Sequence, residues 1–493
     1  MIRPYGELRR RRDLNAGRLS ADMYAAPQIF EEGGDWPGDW QGRAILALCC
    51  HWRAADDASA RAAIMAQLRA VMQALPQHTN RGGFFGPEFD PQKINEQQLS
   101  GNGWFLRGLC AWYAATSDRE ALRRLDAITE SLLCPLADRY RTYPAGPREE
   151  GSVSGHTQAG TVDGWQLSSD VGCAFILLDG VTDVYATTRD ARLRPVIEEM
   201  IAAFEGLDVL SCHCQTHATL SALRGVERYF CLTGEARYLD FLRRMFAVYT
   251  EHGMTLNYAN FNWFGKPFWT EPCAVVDSLL LALRLYEHTG EGQYVRLANR
   301  VYANALRHAQ RPNGGAGCDS CLCEHNDVFE TKMYEAFFCC TMRYAEGISC
   351  LLENAVRLRG GRPEVLFPFD CDFEAEGGRL QIRCEQTEEE LKIRIRAEGE
   401  LPPPAIYRPC GAETAADAPF SEEEYFVRFT EKKEEYVLSF RCPPYEEERR
   451  GCRVPMRGDL VLLRKDRGRE ERDCIESCLD MTEQEVAAYR RYL

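Results

Sequence analysis

The sequence predicts a mainly α-helical protein, an (α/α)6 barrel of helical hairpins followed by a smaller C-terminal antiparallel β-sandwich-like domain. Apolar residues recur at intervals of three and four up to about residue 355. Short turn motifs separate the helical stretches, and the apolar period changes to two after Arg357. We therefore expect a barrel domain at 1–357, a β domain at 358–466 and a charged helical tail at 467–493.

The helical period is present in nine stretches of the N-terminal part. They are Ile45–Trp52, Ile64–Leu75, Trp104–Tyr113, Leu122–Leu133, Cys173–Tyr185, Leu220–Cys231, Tyr238–Tyr249, Val275–Tyr286 and Tyr294–Leu306. The junctions Leu232–Glu235 and His288–Glu291 contain Gly after one helix and an acidic residue before the next, which is capping chemistry. Such turns predict antiparallel hairpins. Their unequal spacing favours a closed ring over a regular solenoid, with Thr341–Val356 and a weaker N-terminal segment completing the sixth hairpin.

The β domain is predicted from alternating apolar residues. Leu380–Cys384, Leu391–Ile395 and Tyr436–Phe440 each place apolar side chains at every second position. Because successive side chains of a strand point to opposite faces, one face of each strand is expected to be buried. The run Pro402–Pro404 separates two of these strands.

Composition excludes several classes of protein. With 45% hydrophobic residues the chain of 493 residues is not disordered, and its net charge of −15 argues against a nucleic-acid partner. No stretch approaches the roughly 20 apolar residues of a membrane span. The segment Met1–Asn15 is rich in Arg but lacks the apolar core of a secretory signal. We therefore expect a cytoplasmic protein whose 22 cysteines stay reduced.

The strongest chemical motif combines Glu271-Pro272-Cys273 with Cys339-Cys340. A carboxylate and three thiolates are suitable ligands that fill the tetrahedral shell of zinc, although buried core cysteines remain the alternative. Pro272 favours extended backbone at Glu271, so Glu271 and Cys273 can face one side. A helical pattern begins after Cys340, which places Cys339 near a helix N-terminus, where the dipole lowers a thiol pKa.

These motifs resemble a known family. The resemblance is carried by Trp269-Thr270-Glu271-Pro272-Cys273-Ala274, Tyr286-x-x-Thr289-Gly290-x-x-x-Tyr294, Cys339-Cys340-Thr341, His217-Ala218 ahead of Tyr229-x-x-x-Thr233-Gly234, and Arg457–Leu462. In this order they resemble the cysteine-nucleophile β-L-arabinofuranosidases of glycoside hydrolase family 127. The resemblance extends roughly from Trp36 to Leu463 and implies an (α/α)6 barrel with attached β structure.

The resemblance implies a mechanism and a set of site residues. Zinc would be held by Glu271, Cys273, Cys339 and Cys340, and the Cys339 thiolate would attack the anomeric carbon with overall retention. His217 would face inward towards the sugar. The expected substrates are short oligosaccharides or glycosides, with β-L-arabinofuranosides as one class. A small carbohydrate is then the expected partner, and the sequence leaves a homodimer open.

The sequence departs from the family where the general acid is expected. In the family a glutamate precedes the E-x-C motif, but Gly253–Thr270 contains no Asp, Glu or His. Glu335, one helical turn before Cys339, is our preferred replacement; the others are Glu251, Asp170 and Asp39. The absence of an acidic residue from this loop also favours an alternative, a zinc-stabilised carbohydrate-binding or regulatory protein that has lost hydrolysis. A lyase or epimerase using His or Tyr bases is a third alternative.

Further candidates lie in the long loops. Trp104 and Trp269 offer aromatic faces for sugar stacking, and His217 a ring nitrogen for a sugar hydroxyl, although each also suits a core position. The motif Cys318-x-x-Cys321-x-Cys323-x-His325 has the spacing of a structural zinc site. A reduced loop packed over the active site is the alternative interpretation of that motif.

Overall fold

Six buried helices form a closed ring in the computed structural model, which describes residues 2–31, 35–148, 155–387, 389–465 and 470–473. The α-helices of these residues are α1 (Gly6–Leu19), α2 (Ala26–Ile29), α3 (Asp39–Ala54), α4 (Ala58–Ala74), α5 (Glu96–Thr116), α6 (Arg119–Ile128), α7 (Leu177–Thr188), α8 (Leu193–Glu205), α9 (Thr216–Thr233), α10 (Ala236–Val248), α11 (Pro272–Thr289), α12 (Gln293–Val301), α13 (Arg307–Ala309) and α14 (Cys340–Asn354). The inner ring consists of α3, α5, α7, α9, α11 and α14, each packed on the next, with α14 returning to α3.

An outer layer of helices completes the hairpins. Helices α4, α6, α8, α10 and α12 each pack on the inner helix before them, and the N-terminal helix α1 packs on α14. The inner helices are buried around most of their circumference, whereas outer helices such as α12 bury one stripe. The prediction of an (α/α)6 barrel is therefore confirmed, and the first helix, α1, completes the sixth hairpin by packing on α14.

The predicted turns have the expected left-handed residue after the inner helix. Gly234 and Gly290 follow α9 and α11 with φ of +71° and +75°, and each N–H bonds to the carbonyl four residues earlier. Ser117 and Arg189 take the same conformation after α5 and α7. All four turns bring the chain directly into the following outer helix.

The C-terminal strands form a sandwich of two sheets. The strands of the described residues are β1 (Ile2–Pro4), β2 (Ile94–Asn95), β3 (Trp165–Gln166), β4 (Cys318–Asp319), β5 (Thr331–Met333), β6 (Val356–Arg359), β7 (Arg362–Val365), β8 (Cys371–Ala375), β9 (Gly378–Gln386), β10 (Glu390–Gly399), β11 (Ala405–Tyr407), β12 (Glu413–Ala416), β13 (Phe420–Glu422), β14 (Phe426–Phe429), β15 (Glu435–Arg441), β16 (Pro444–Arg449), β17 (Cys452–Arg457), β18 (Leu460–Lys465) and β19 (Glu470–Asp473). One sheet has the order β1-β8-β9-β10-β15-β12 and the other β13-β14-β11-β7-β6.

The register confirms the alternating pattern. Ile382 pairs with Ile395, and Ile393 pairs with Leu438. These side chains are buried in one core with Val427 of the facing sheet, so the sandwich has its own hydrophobic centre. The sheets are antiparallel except for the pair β7–β11, which is parallel.

Three features depart from the predicted domain ranges. Residues 2–4, included in the barrel range, form β1 on the edge of the larger sheet because they pair with β8. Only Glu470–Asp473 of the predicted helical tail at 467–493 is described; these residues form a strand paired with β18, and the rest of the tail lies outside the described residues. The sheet β16-β17-β18-β19 packs Val454 and Met456 into the barrel core.

The structure also bears on membrane-spanning helices and on the state of the cysteines. Among the described residues no helix combines the length and apolar character needed to cross a membrane. The described cysteines are all free thiols.

Candidate active site

The predicted site residues meet where three inner helices begin at one end of the barrel. His217 lies in the first turn of α9. Glu271 directly precedes α11, which has Cys273 in its first turn, and Cys339 precedes Cys340 at the start of α14. The N-terminus of a helix carries partial positive charge and unpaired N–H groups. Converging helix N-termini therefore favour the negatively charged forms of Glu271 and the thiols.

Three thiols form a cluster with the spacing of a metal site. The sulfur atoms of Cys273, Cys339 and Cys340 all lie within 4.8 Å of one another, with 3.6 Å between Cys273 and Cys340 and 3.4 Å between Cys339 and Cys340. Tetrahedral zinc with bonds of about 2.3 Å separates its sulfur ligands by roughly 3.8 Å. The sequence-predicted thiol set is thus brought together in a geometry that fits zinc.

The three cysteines differ in their access to solvent. Cys273 and Cys340 are buried, whereas Cys339 is partly exposed. Burial raises the pKa of the Cys273 thiol well above its ordinary value, and hydrogen bonding to Cys339 raises it further. Burial, followed by hydrogen bonding with Cys273 and Cys318, also raises the pKa of Cys340. A cation is therefore needed to hold these buried groups as thiolates.

Glu271 belongs to a second, overlapping group. Ligand atoms of His217, Glu271 and Cys273 lie within 4.8 Å of one another, so Cys273 is common to both groups. The buried Oε2 of Glu271 has no hydrogen-bond partner among the described residues. Burial raises the pKa of the Glu271 carboxyl, and His217 opposes that shift. An orphaned carboxylate oxygen beside a thiol is what a further metal ligand requires.

Arg43 links the thiol cluster to the interior of the barrel. Its guanidinium donates to Asp39 Oδ1 at 2.6 Å, to Cys273 Sγ at 3.5 Å and to His217 Nε2 at 3.3 Å. Since Arg carries no acceptor, His217 Nε2 must accept, which leaves the ring proton on Nδ1. Arg43 supplies a fixed positive charge beside the thiols. Arg43 was not among the residues predicted from the sequence, although Asp39 and Arg43 stand four residues apart in an apolar helix, a spacing typical of an ion pair.

Trp104 contacts this arginine and is fully buried. Its ring is 0% exposed, and the guanidinium carbons of Arg43 and Arg343 lie 3.9 Å and 4.6 Å from its centroid. His217 stacks on it with 5.8 Å between ring centroids. The prediction that Trp104 stacks on a sugar is therefore corrected, because cationic and imidazole groups already cover the buried ring.

A buried ionic network orients His217. Its Nδ1–H donates to Asp277 Oδ2 at 2.9 Å, and Arg224 donates to Asp277 Oδ1 at 2.8 Å. Arg343 also contacts Asp277, and Arg224 continues to Glu346 Oε1 at 2.5 Å. Burial opposes ionisation of Asp277, but the Arg343 and Arg224 guanidiniums hold its pKa far below the ordinary value. Asp277 is thus a fixed anion that sets the tautomer and direction of His217.

Glu335 occupies a place unlike that expected of a general acid. Both its oxygens accept from Arg18 at 2.8 Å, and Asn313 and Thr341 add hydrogen bonds of 2.7 Å and 3.0 Å. Four donated hydrogen bonds, two of them from a cation, occupy both oxygens of this carboxyl group. The prediction that Glu335 protonates the leaving group is not supported by these contacts, which instead tie α1 to the loop before α14.

The other acid candidates are also engaged or distant. Asp39 pairs with Arg43, with 3.0 Å between its second oxygen and Nη2. Asp170 accepts from the indole N–H of Trp263 at 3.1 Å and from the N–H of Gly155 at 3.0 Å. Glu251 is exposed in the last turn after α10. Of these, Asp170 approaches Glu271 closely enough to influence its pKa.

The cysteine loop before the site does not assemble as a separate zinc site. Cys321 and Cys323 pack with Phe261 in a small apolar cluster, and the Cys321 thiol donates to the Asn260 carbonyl at 3.5 Å. Cys318 instead lies beside Cys340. Within the described part of the chain, the groups of close metal-binding side chains do not include this loop. The alternative of a reduced loop packed near the site is the one the structure shows.

Two exposed phenylalanines directly precede Cys339, and the predicted sugar-stacking residue Trp269 is partly exposed. Trp269 is half-buried and packs edge-on against Trp263 with 5.2 Å between centroids. Phe337 and Phe338, directly before Cys339, are 37% and 45% exposed, and Phe337 packs on Trp40 at 5.6 Å. Apolar ring faces of this kind suit the C–H faces of a sugar. The sequence analysis did not single out the two phenylalanines, despite their position beside the predicted nucleophile.

Solved structures share this architecture across most of the chain. No family model and no curated protein sequence matches it. A structure described as a glycoside hydrolase has a TM-score of 0.64 and 13% identity, covering 93% of this chain and 81% of its own. A GH127 β-L-arabinofuranosidase from Geobacillus stearothermophilus T6 has a TM-score of 0.59 and 14% identity, covering 94% and 86%. A second GH127 β-arabinofuranosidase has a TM-score of 0.59 and 14% identity, covering 92% and 78%. The chain therefore has the fold of these enzymes.

Proposed function

We propose that this protein is a retaining glycoside hydrolase in which Cys339 is the nucleophile. The observation that carries the proposal is the convergence of three thiols at helix N-termini with Cys339 alone partly exposed. The nearest solvent-facing neighbours of Cys339 in the chain are aromatic rings suited to a sugar. The shared fold with a GH127 β-L-arabinofuranosidase and a GH127 β-arabinofuranosidase supports the same class of chemistry.

Glu271, Cys273, Cys339 and Cys340 would hold zinc at this site. Bound there, zinc would keep the sulfur atoms as thiolates at neutral pH. Arg43 adds a positive charge 3.5 Å from Cys273 Sγ and reduces the repulsion among four anionic ligands. His217 has its ring fixed next to Glu271, because Asp277 and Arg43 engage its two ring nitrogens.

The reaction would proceed as a double displacement. The Cys339 sulfur forms a bond to the anomeric carbon while the bond to the leaving oxygen breaks, and the leaving oxygen takes a proton from solvent. Water then attacks the same carbon and gives up one proton to solvent, while the carbon–sulfur bond breaks and its electron pair returns to sulfur. The sugar is released with its original configuration. The expected substrates are short oligosaccharides or glycosides, including β-L-arabinofuranosides.

A second candidate is a zinc-stabilised carbohydrate-binding or regulatory protein. It is favoured by one observation, the absence of Asp, Glu and His from Gly253–Thr270 together with the ion pair that occupies Glu335. A pure binding protein does not need a thiol that reaches solvent, so the exposure of Cys339 favours the hydrolase.

A panel of aryl glycosides tests the proposal, because good leaving groups depart without an acid. We expect turnover of at least one glycoside and its loss in Cys339→Ala, while Cys452→Ala, a partly exposed cysteine of the β sheet, keeps full activity. Binding of sugars without any turnover would instead establish the binding protein. Equal turnover by Cys339→Ala would remove the nucleophile assignment.

A further inference from the structure

A second cluster of metal-binding side chains lies on α9 and α11, two of the three helices that form the active site. Glu227 and Cys231 are one turn apart on α9, and His288 lies in the last turn of α11. Their ligand atoms all lie within 4.8 Å of one another. Glu227 Oε1 is 2.8 Å from His288 Nε2 and 3.2 Å from Cys231 Sγ, and Cys231 Sγ is 3.7 Å from His288 Nε2.

These distances and donors suit a small tetrahedral cation. Carboxylate, thiolate and imidazole ligands at about 2.0–2.3 Å from zinc lie roughly 3.3–3.8 Å apart, so the three atoms need to move little. The mixture of sulfur and nitrogen excludes calcium and magnesium, which take oxygen ligands. The same contacts do not form a catalytic triad, because Glu227 and Cys231 both meet one nitrogen of His288.

Packing holds two of the three ligand residues in place, and solvent reaches the third. Glu227 is buried, the His288 ring packs edge-on against Phe230 with 5.0 Å between centroids, and Cys231 is exposed. A cation can therefore enter from solvent and keep water in its fourth position. Arg284 lies 3.8 Å from Glu227, but its side chain is 53% exposed and already donates to Glu287 at 2.7 Å. A cation can therefore displace Arg284 from Glu227.

The position of this cluster on the two helices also favours binding of a cation. His217 and Cys273 lie at the N-terminal ends of α9 and α11, whereas this cluster lies at their C-terminal ends, about 20 Å away along the helix axes. The C-terminus of a helix carries partial negative charge and favours a cation. A metal here would cross-link the two helices that present His217, Glu271 and Cys273.

We propose that Glu227, Cys231 and His288 form a second zinc site that joins α9 to α11 and stabilises the barrel. Binding releases the thiol proton to solvent and involves no oxidation or reduction. This site is independent of the proposed hydrolase, since it uses none of the active-site residues.

Zinc titration of the metal-free full-length protein tests this site. After removal of free metal, elemental analysis should show one zinc fewer per chain in Cys231→Ala/His288→Ala than in the unaltered protein. Glu227→Gln, which preserves shape and can still contact His288, should lose the same zinc. Cys134→Ala/His252→Ala, a matched pair outside the described metal-binding groups, should retain it.

Alkylation of the thiols gives a residue-specific measurement. Cys231 should be modified by a small alkylating agent in the metal-free protein and protected when zinc is added, as read by peptide mapping. Equal zinc content in the unaltered protein and the Cys231→Ala/His288→Ala variant would overturn the site. Unchanged labelling of Cys231 at saturating zinc would do the same, whatever the state of the Cys273–Cys340 cluster.

Discussion

Cys339 Sγ lies 3.4 Å from Cys340 Sγ, yet Cys340 is 1% exposed and Cys339 is the one that reaches solvent. The difference arises because α14 begins between them. Cys339 has non-helical backbone angles, with φ of −145° and ψ of −65°, whereas Cys340 is the first helical residue. Two neighbouring side chains can thus share a cluster while only one meets a substrate.

Labelling should distinguish these two thiols. A sugar carrying a haloacetamide at its anomeric position is expected to modify Cys339 in preference to the buried Cys273 and Cys340, because a thiolate must be accessible to react. Peptide mapping after partial modification measures the selectivity. An uncharged haloacetamide without a sugar serves as the control and should label the partly exposed Cys452 as well. Modification of Cys340 with Cys339 untouched would contradict the assignment.

Removal of a central ligand should abolish the active-site zinc. Cys273 is shared by both groups of close ligands, so Cys273→Ala should lose one zinc per chain by elemental analysis. Cys110→Ala, which removes a buried thiol of α5 outside those groups, should keep it. Full zinc content in Cys273→Ala would show that the thiol cluster is only core packing.

Glu335 is expected to stabilise the folded protein. Glu335→Gln replaces a buried partner of Arg18 with a neutral amide and should lower the free energy of unfolding by about 1–3 kcal/mol. Glu330→Gln, which breaks an exposed pair with Lys332, should cost no more than about 1 kcal/mol. Urea unfolding gives both values. Activity towards aryl glycosides with good and poor leaving groups should change by the same factor. A much larger loss for poor leaving groups would restore Glu335 as the general acid.

Acidification should destabilise the barrel through His51. Burial, reinforced by Arg12, lowers the pKa of His51 to about 3, and its Nε2 lies 2.8 Å from Asn15 Oδ1. An unfolded histidine titrates near 6.5, so between these values only the unfolded chain takes up the proton. Below pH 6.5 stability should therefore fall by up to about 1.4 kcal/mol per pH unit from this group.

The variant His51→Gln separates this term from other acid effects. Its amide can still donate to Asn15 but does not titrate, so the fall in unfolding free energy between pH 7 and pH 5 should become shallower. His252→Gln, at an exposed histidine, should leave the pH dependence unchanged. An identical slope in His51→Gln and the unaltered protein would show that His51 is not responsible.

The barrel and the thiol set were predictable because they depend on local patterns. Apolar residues at helical spacing and Gly-containing turns define hairpins through interactions within a few residues. The Glu271–Cys273 and Cys339–Cys340 motifs contain ligand chemistry in adjacent residues, so bringing two short segments together assembles the cluster. The pairing of β1 with β8 was not predictable, since three residues are too few to show a period.

Tertiary structure alone decided which groups face the site. Glu335 is close to Cys339 in sequence, but Arg18 from the first helix takes both its oxygens, a contact between residues far apart in the chain. The sequence predicted that Trp104 stacks on a sugar, yet in the closed ring the guanidinium groups of Arg43 and Arg343 lie over its indole. The sequence by itself determined the helices, the strands and the ligand types. Burial and ion pairing across the closed ring determined which of these side chains face the site, because a buried charge pairs with the opposite charge that the fold brings near it.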